Sequence, residues 1–135
     1  PSFRESFARR RCIVPATSFF EWQRLSNQRI PHKISLQSGG LFAMAGIWQP
    51  APTDGSASAS QFCILTTEPN ELIRPIHDRM PVILKHRDLT DWLSPSAHID
   101  ALRAMLAPAD PAAITLSAIE PKISAHPGIS QLSLF

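Results

Sequence analysis

The stretch Leu41-Phe42-Ala43-Met44-Ala45-Gly46-Ile47-Trp48 carries no polar side chain. It is bounded by the Ser38-Gly39-Gly40 turn and by Pro50, and it reads as a strand. A strand that is apolar at consecutive positions faces hydrophobic surroundings on both sides, so this one belongs at the centre of a sheet. Its alanines and Gly46 imply a neighbour pressed close against it.

The rest of the chain falls into equally short pieces. Ser2 to Arg11 reads as a helix, with Phe3 and Phe7 on one face. Cys12 to Val14 is a short strand stopped by Pro15, and the aromatic-rich run Phe19 to Gln23 is a second. Ser26 to Gln28 forms a hairpin loop, and His32 to Leu36 alternates as a strand does. Residues 50–60 are a surface loop of Pro, Ala, Ser, Gly and Asp. Phe62 to Thr66 reads as a buried strand, and Thr67 as the cap of a short helix through Ile73. Pro81 to Leu84 is a further strand, Arg87 to Leu93 and Ser96 to Leu106 are helices, and Ile114 to Ile119 is a weak strand. Many short strands with few helices predict an α+β fold: a compact single domain with a curved, mainly antiparallel, barrel-like sheet. The domain is expected over 1–120, with 121–135 as a tail rich in Pro, Gly and Ser.

At 135 residues, 44% hydrophobic and 18% charged, the chain suits one globular domain and excludes a disordered one. No apolar run approaches the roughly 20 residues of a bilayer span, and no charged-then-apolar leader is visible, so no membrane partner is expected. Cys12 and Cys63 give neither a disulfide framework nor a metal-ligand spacing, and read as two buried thiols of a cytoplasmic protein. No Gly-rich phosphate loop, serine elbow, metal cluster or dinucleotide fingerprint is present, so no cofactor and no metal are expected. The net charge of +2 is unevenly spread. Arg4, Arg9, Arg10 and Arg11 face only Glu5 in the first eleven residues, which suits a polyanion such as nucleic acid. A solvated helix face accounts for the same charges equally well.

Two clusters carry candidate chemistry. In Phe19-Phe20-Glu21-Trp22 the strand reading puts Phe20 and Trp22 on one face, Phe19 and Glu21 on the other. A carboxylate beside aromatic surface is desolvated, which raises its pKa and readies it for proton transfer near neutrality. The alternative is an edge glutamate paired with Arg11 or Arg24. The second cluster, Ile76-His77-Asp78-Arg79-Met80-Pro81, holds a histidine in a turn whose exit is fixed by proline. The alternative there is a satisfied structural histidine. His32, His86, His98 and His126 have no such setting and read as surface. Arg79, Arg4 and Arg11 are candidate phosphate contacts, Trp22 and Trp48 candidate stacking platforms, and Thr67 a candidate hydroxyl donor or a helix cap.

Taken together, Arg11-Cys12-Ile13-Val14-Pro15-Ala16, Phe20-Glu21-Trp22, Phe42 to Trp48, Phe62 to Thr67, Ile76 to Leu84 and Trp92-Leu93 resemble the SOS-response-associated peptidase (SRAP) family, in the family's order. The resemblance implies a compact mixed α/β domain around a curved sheet that binds single-stranded DNA and attaches covalently to abasic sites. It implies a nucleoid-associated role in DNA damage repair, with lyase and autopeptidase (hydrolase) activity. The family's nucleophile is an N-terminal cysteine whose amine and thiol capture the sugar aldehyde as a thiazolidine. The matching Glu21 would then transfer protons, the matching His77 would stabilise the sugar and assist reversal, and Arg79 and Trp22 would contact DNA. Neither Cys12 nor Cys63 matches the nucleophile, so the chain is expected to lack the covalent step; without the family's N-terminal motifs it is read as a fragment of a longer product, with a degenerate paralogue as the alternative. A non-catalytic single-strand-binding or clamp-recruited adaptor, and a peptidase acting on its own N-terminus, are the competing readings.

The last residues, Gln131-Leu132-Ser133-Leu134-Phe135, resemble the peptide by which bacterial repair proteins dock on the sliding clamp. Gln131 would enter a polar slot, with Leu132, Leu134 and Phe135 beside or in an apolar pocket. An apolar strand folding back on the core is the alternative. The family reading requires Glu21 and His77, far apart in the chain, to converge.

Overall fold

A computed structural model describes residues 2–53 and 59–119. The central strand is β4, Phe42–Gln49, with Ala45 and Ile47 buried on one face and Phe42, Met44 and Gly46 on the other. Antiparallel partners lie on both sides of it: β1, Arg11–Ala16, and β5, Gln61–Ile64. The short β8, Ile83–Leu84, pairs at its start. The close neighbour expected at Gly46 is real: a Cβ there would lie 2.8 Å from Cys12 Sγ and 3.3 Å from the Cys63 carbonyl. Pro15 does not stop β1. It sits opposite Ala43 on an outer strand, where a missing N–H costs no ladder bond.

A second sheet runs β2–β3–β9, with β2 Phe19–Leu25, β3 Gln28–Leu36 and β9 Ile114–Ala118. Its hairpin turns at Ser26-Asn27, where Ser26 takes a positive φ of 44°. Gly39 and Gly40, at φ 71° and 84°, carry the chain from β3 back to β4 in a conformation that side chains resist. A two-stranded ribbon pairs β6, Thr66–Thr67, with β7, Met80–Pro81. Every pairing among the described residues is antiparallel, as expected, but the strands form three separate sheets and no closed barrel. The chain passes from one sheet to the next at the Thr17-Ser18 bend and at the two glycines instead of closing a ring.

The helices are short: α1 Ser2–Arg9, α2 Leu89–Leu93 and α3 Ile99–Ala104. None is long and apolar enough to cross a membrane. The interior has two clusters. One joins Ala45, Val82, Leu84, Trp92 and Leu102, with Phe7 edge-on to Trp92. The other joins Ile34, Ile73, Met80 and Ile114, with Phe19 and Leu116 packed against it.

Three local expectations are corrected. Thr67 does not cap a helix: it pairs with Met80 in the ribbon, and residues 71–76 form turns. Capping of that segment falls to Asn70, whose side-chain oxygen accepts from the Ile73 N–H at 3.0 Å while its amide donates to the Ala109 carbonyl. The strand at Phe62 is not buried: Phe62 and Cys63 lie exposed on the outer strand β5, and Cys12 is only half-buried. The clamp-type tail, Gln131, Leu132, Leu134 and Phe135, lies outside the described residues.

Candidate functional site

Strand alternation and hairpin register decide what faces inward on β2. Phe19 pairs with Ile34, Glu21 with His32 and Gln23 with Ile30, so these side chains share one face. Phe20, Trp22 and Arg24 share the other, opposite Lys33, Pro31 and Arg29. The segment that brings His77 to the inward face is pinned by buried Ile73 and Ile76 and by hydrogen bonds from the Ile76 and His77 N–H groups to the Ile73 carbonyl.

Glu21 and His77, 56 positions apart, meet: Glu21 Oε2 lies 3.8 Å from His77 Nε2. Glu21 is one-fifth exposed and His77 about two-fifths, so the pair is partly desolvated yet still reaches solvent. Burial pushes the Glu21 carboxyl above its ordinary 4.5; the facing imidazole pulls it down and Asp78 pushes it up again. The carboxylate is therefore paired with the histidine, and with neither Arg11 nor Arg24. His77 Nδ1 lies 3.1 Å from the Arg79 N–H, 3.0 Å from the Arg79 carbonyl and 3.3 Å from Asp78 Oδ1. A neutral ring accepts from that N–H and points Nε2–H at Glu21; a protonated ring donates to the carbonyl. The same Nδ1 can thus accept from the Arg79 N–H or donate to the Arg79 carbonyl, depending on where the ring carries its hydrogen.

Arg79 is exposed and oriented. Its Nε donates to the Thr66 hydroxyl at 3.2 Å, and its Nη2 to the same hydroxyl and to the Thr66 carbonyl. Thr67 lies beside Thr66 on the ribbon, half-buried. Trp22 is half exposed but stands on the outward face of β2, away from the Glu21 face. Phe20 joins it there, with Arg24, Arg29 and Lys33 interleaved. That mixed aromatic and cationic face was legible only once the register was known. Arg4 is exposed on α1, which packs on β1 and β4.

Arg11 is a correction. It is buried, and its guanidinium donates to the carbonyls of Trp92, Phe7, Ala8 and Ser94 at 2.5–2.8 Å while stacking on the Trp92 ring. Burial lowers its pKa, and no face of it is left for a phosphate. His32 is the second correction: expected at the surface, it is buried directly across from Glu21. The Ser-Pro-Ala-rich surroundings of other histidines gave no hint of this; the hairpin register was the missing signal. An apolar cavity of about 520 Å³ between β4, β8 and the end of α3 contains neither Glu21 nor His77.

A family model described as SOS response associated peptidase (SRAP) matches residues 1–126. The chain belongs to the SRAP family. It is 46% identical over 112 residues to the abasic site processing protein YoaM of Bacillus subtilis (strain 168), covering 82% of this chain and 49% of that protein. It is 45% identical to the abasic site processing protein YoqW of the same organism, covering 82% and 50%. A crystal structure of a Bacteroides thetaiotaomicron protein superposes with a TM-score of 0.83 at 34% identity, over 90% of this chain and 54% of that one. The SRAP chain described here thus spans about half the length of the curated relatives it matches.

Proposed function

We propose that this chain carries the acid–imidazole half of an abasic-site processing centre acting in DNA repair. The observation that carries the reading is the apposition of Glu21 and His77 at 3.8 Å with both side chains partly buried. Relatives named abasic site processing proteins support it. A ring-opened abasic sugar presents an aldehyde. Its capture by an amine passes through a carbinolamine that must lose water, so one proton moves off the attacking nitrogen and one moves onto the departing hydroxyl. Glu21, whose carboxyl is pushed upward by burial, suits both transfers. His77, whose Nδ1 is held by the Arg79 backbone and whose Nε2 faces Glu21, suits the sugar oxygen. In the intact protein the amine and thiol would come from an N-terminal cysteine, ending as a thiazolidine crosslink.

The outward β2–β3 face supports a single-stranded DNA partner. Phe20 and Trp22 offer stacking surfaces, and Arg24, Arg29 and Lys33 offer cations for the backbone, while Arg79 and Thr67 lie on the His77 side. We extend the proposal to the division at residue 120, with Gln131, Leu132, Leu134 and Phe135 as a clamp-docking peptide on the tail. A fluorescence-anisotropy titration of that peptide against the clamp tests this arm, and no binding at high micromolar clamp ends it.

The central test is a gel-shift time course on single-stranded DNA with one abasic site, using the intact protein. Glu21→Gln is expected to slow crosslinking by roughly 10²- to 10⁴-fold, the span of a lost general acid–base group. His77→Ala is expected to change chiefly the rate of crosslink reversal. An unchanged crosslinking rate in Glu21→Gln refutes the role given to the acid. For the DNA partner, Trp22→Ala should weaken non-covalent binding by about 1–3 kcal/mol, read by anisotropy at fixed salt; equal affinity refutes the stacking role.

A further inference from the structure

We infer that Gln23, held by His32, is the positioning residue that sets the separation of Glu21 and His77. The inference rests on the reading of those two as the working pair. Gln23 follows Glu21 by two residues on the same face of β2, and Pro75 precedes His77 by two. The Gln23 amide donates to the Pro75 carbonyl at 3.2 Å. This bond ties β2 to the turn one step from where the acid must meet the imidazole.

The amide is itself oriented. With its nitrogen committed to Pro75, its oxygen faces His32 Nε2, 3.2 Å away. An amide oxygen only accepts, so His32 Nε2 carries the hydrogen and Nδ1 is left as a bare lone pair. That Nδ1 is buried without a partner among the described residues. A buried acceptor left unpaired is costly, and a phenylalanine of similar shape would avoid the cost. Packing therefore does not account for a histidine here; holding the Gln23 amide in one orientation does. His32 lies directly across from Glu21 in the hairpin, so the same ring also shapes the wall beside the acid.

The other contacts of the His77 turn fix it elsewhere: Ile73 sits in the second core cluster, Asn70 accepts from the Ile73 N–H, and Arg79 donates to Thr66 on β6. Among the described hydrogen bonds, Gln23 to Pro75 is the one that joins this turn to β2. Without it, turn and strand are joined at this level only by the long Glu21–His77 contact itself and by their shared apolar floor.

The test is a double-mutant cycle read on Glu21 itself, by carboxyl carbon NMR titration of the full chain. In the parent, His77→Ala should raise the Glu21 midpoint, because the imidazole draws it down. Gln23→Met should raise it in the same direction, and adding His77→Ala to Gln23→Met should move it less than half as far as in the parent. His32→Phe should fold, since it removes the unpaired acceptor, and should reduce the His77 effect in the same way. That variant decides the matter should Gln23→Met not fold. A His77→Ala shift of undiminished size in the folded variants overturns the inference, since a purely structural Gln23 would lower melting temperature and leave the coupling intact. Crosslinking that survives Glu21→Gln overturns the repair reading instead and leaves this cycle unaffected.

Discussion

Replacing Arg11 by methionine separates the structure's reading of that residue from the sequence's. Methionine keeps most of the stem but removes four donors. The Phe7 and Ala8 carbonyls end α1, and the Trp92 and Ser94 carbonyls end α2, so one guanidinium closes two helix C-termini. A cation there also opposes the negative ends of both helix dipoles. Each charge-assisted bond contributes about 1.5–3 kcal/mol net at most. Water can reach some of the freed carbonyls, and the variant is relieved of desolvating a charge, so the four do not add. A net loss of about 3–5 kcal/mol is expected from leaving several helix-end carbonyls without a donor, each costing about 1–3 kcal/mol where water cannot reach it. For a domain of this size that is roughly 10–15 °C in Tm. The assay is urea unfolding followed by Trp fluorescence, with thermal melts beside it and anisotropy on single-stranded DNA at several salt concentrations. A Tm within about 2 °C of the parent, with a salt slope shallower by about one unit, refutes the structural account and restores Arg11 as a phosphate contact.

Glu21→Gln carries a pH signature in stability. The folded state holds the Glu21 proton more tightly than the unfolded chain because burial raises its pKa. That stabilisation is complete below the ordinary 4.5 and is lost as pH rises through the raised value. The amide variant should therefore melt above the parent at neutral pH and level with it near about pH 3.5; a constant difference across the range would count against a desolvated acid. At Gly46, alanine should destabilise by about 1–3 kcal/mol, since its Cβ meets Cys12 Sγ at 2.8 Å and the Cys63 carbonyl at 3.3 Å. Adding Cys12→Ala should return part of that loss in urea midpoints, and strictly additive effects would show that the sulfur is not the obstacle.

The central strand was readable because eight successive apolar positions leave little choice of environment, and its small residues already signalled the close approach of β1. Alternation alone put Glu21 on the Phe19 face and away from Phe20 and Trp22; that this face turns inward came from the packing of β2. Its meeting with His77 was only a requirement of the family reading, because nothing in residues 22–76 states how the turn after β6 returns over β2. Arg11 and His32 were misplaced for one reason. Residue type predicts exposure for a lone arginine or histidine, and burial here depends on partners distant in the chain: helix-end carbonyls for one, Gln23 for the other. The Thr67 helix failed because Asn70, three residues on, supplies a better cap and leaves Thr67 to the ribbon.

The two interiors leave the molecule with an uneven way of coming apart. β2, through Phe19, and the His77 turn, through Ile73, rest on one; Trp92 and the three helices' contacts centre on the other. Along Met80–Leu84 the side chains divide between them, Met80 and Ile83 to one, Val82 and Leu84 to the other. Whichever interior loosens first, this five-residue seam still ties the chain to the other, so the acid and imidazole lean on Met80 and Ile83 and not on the helices.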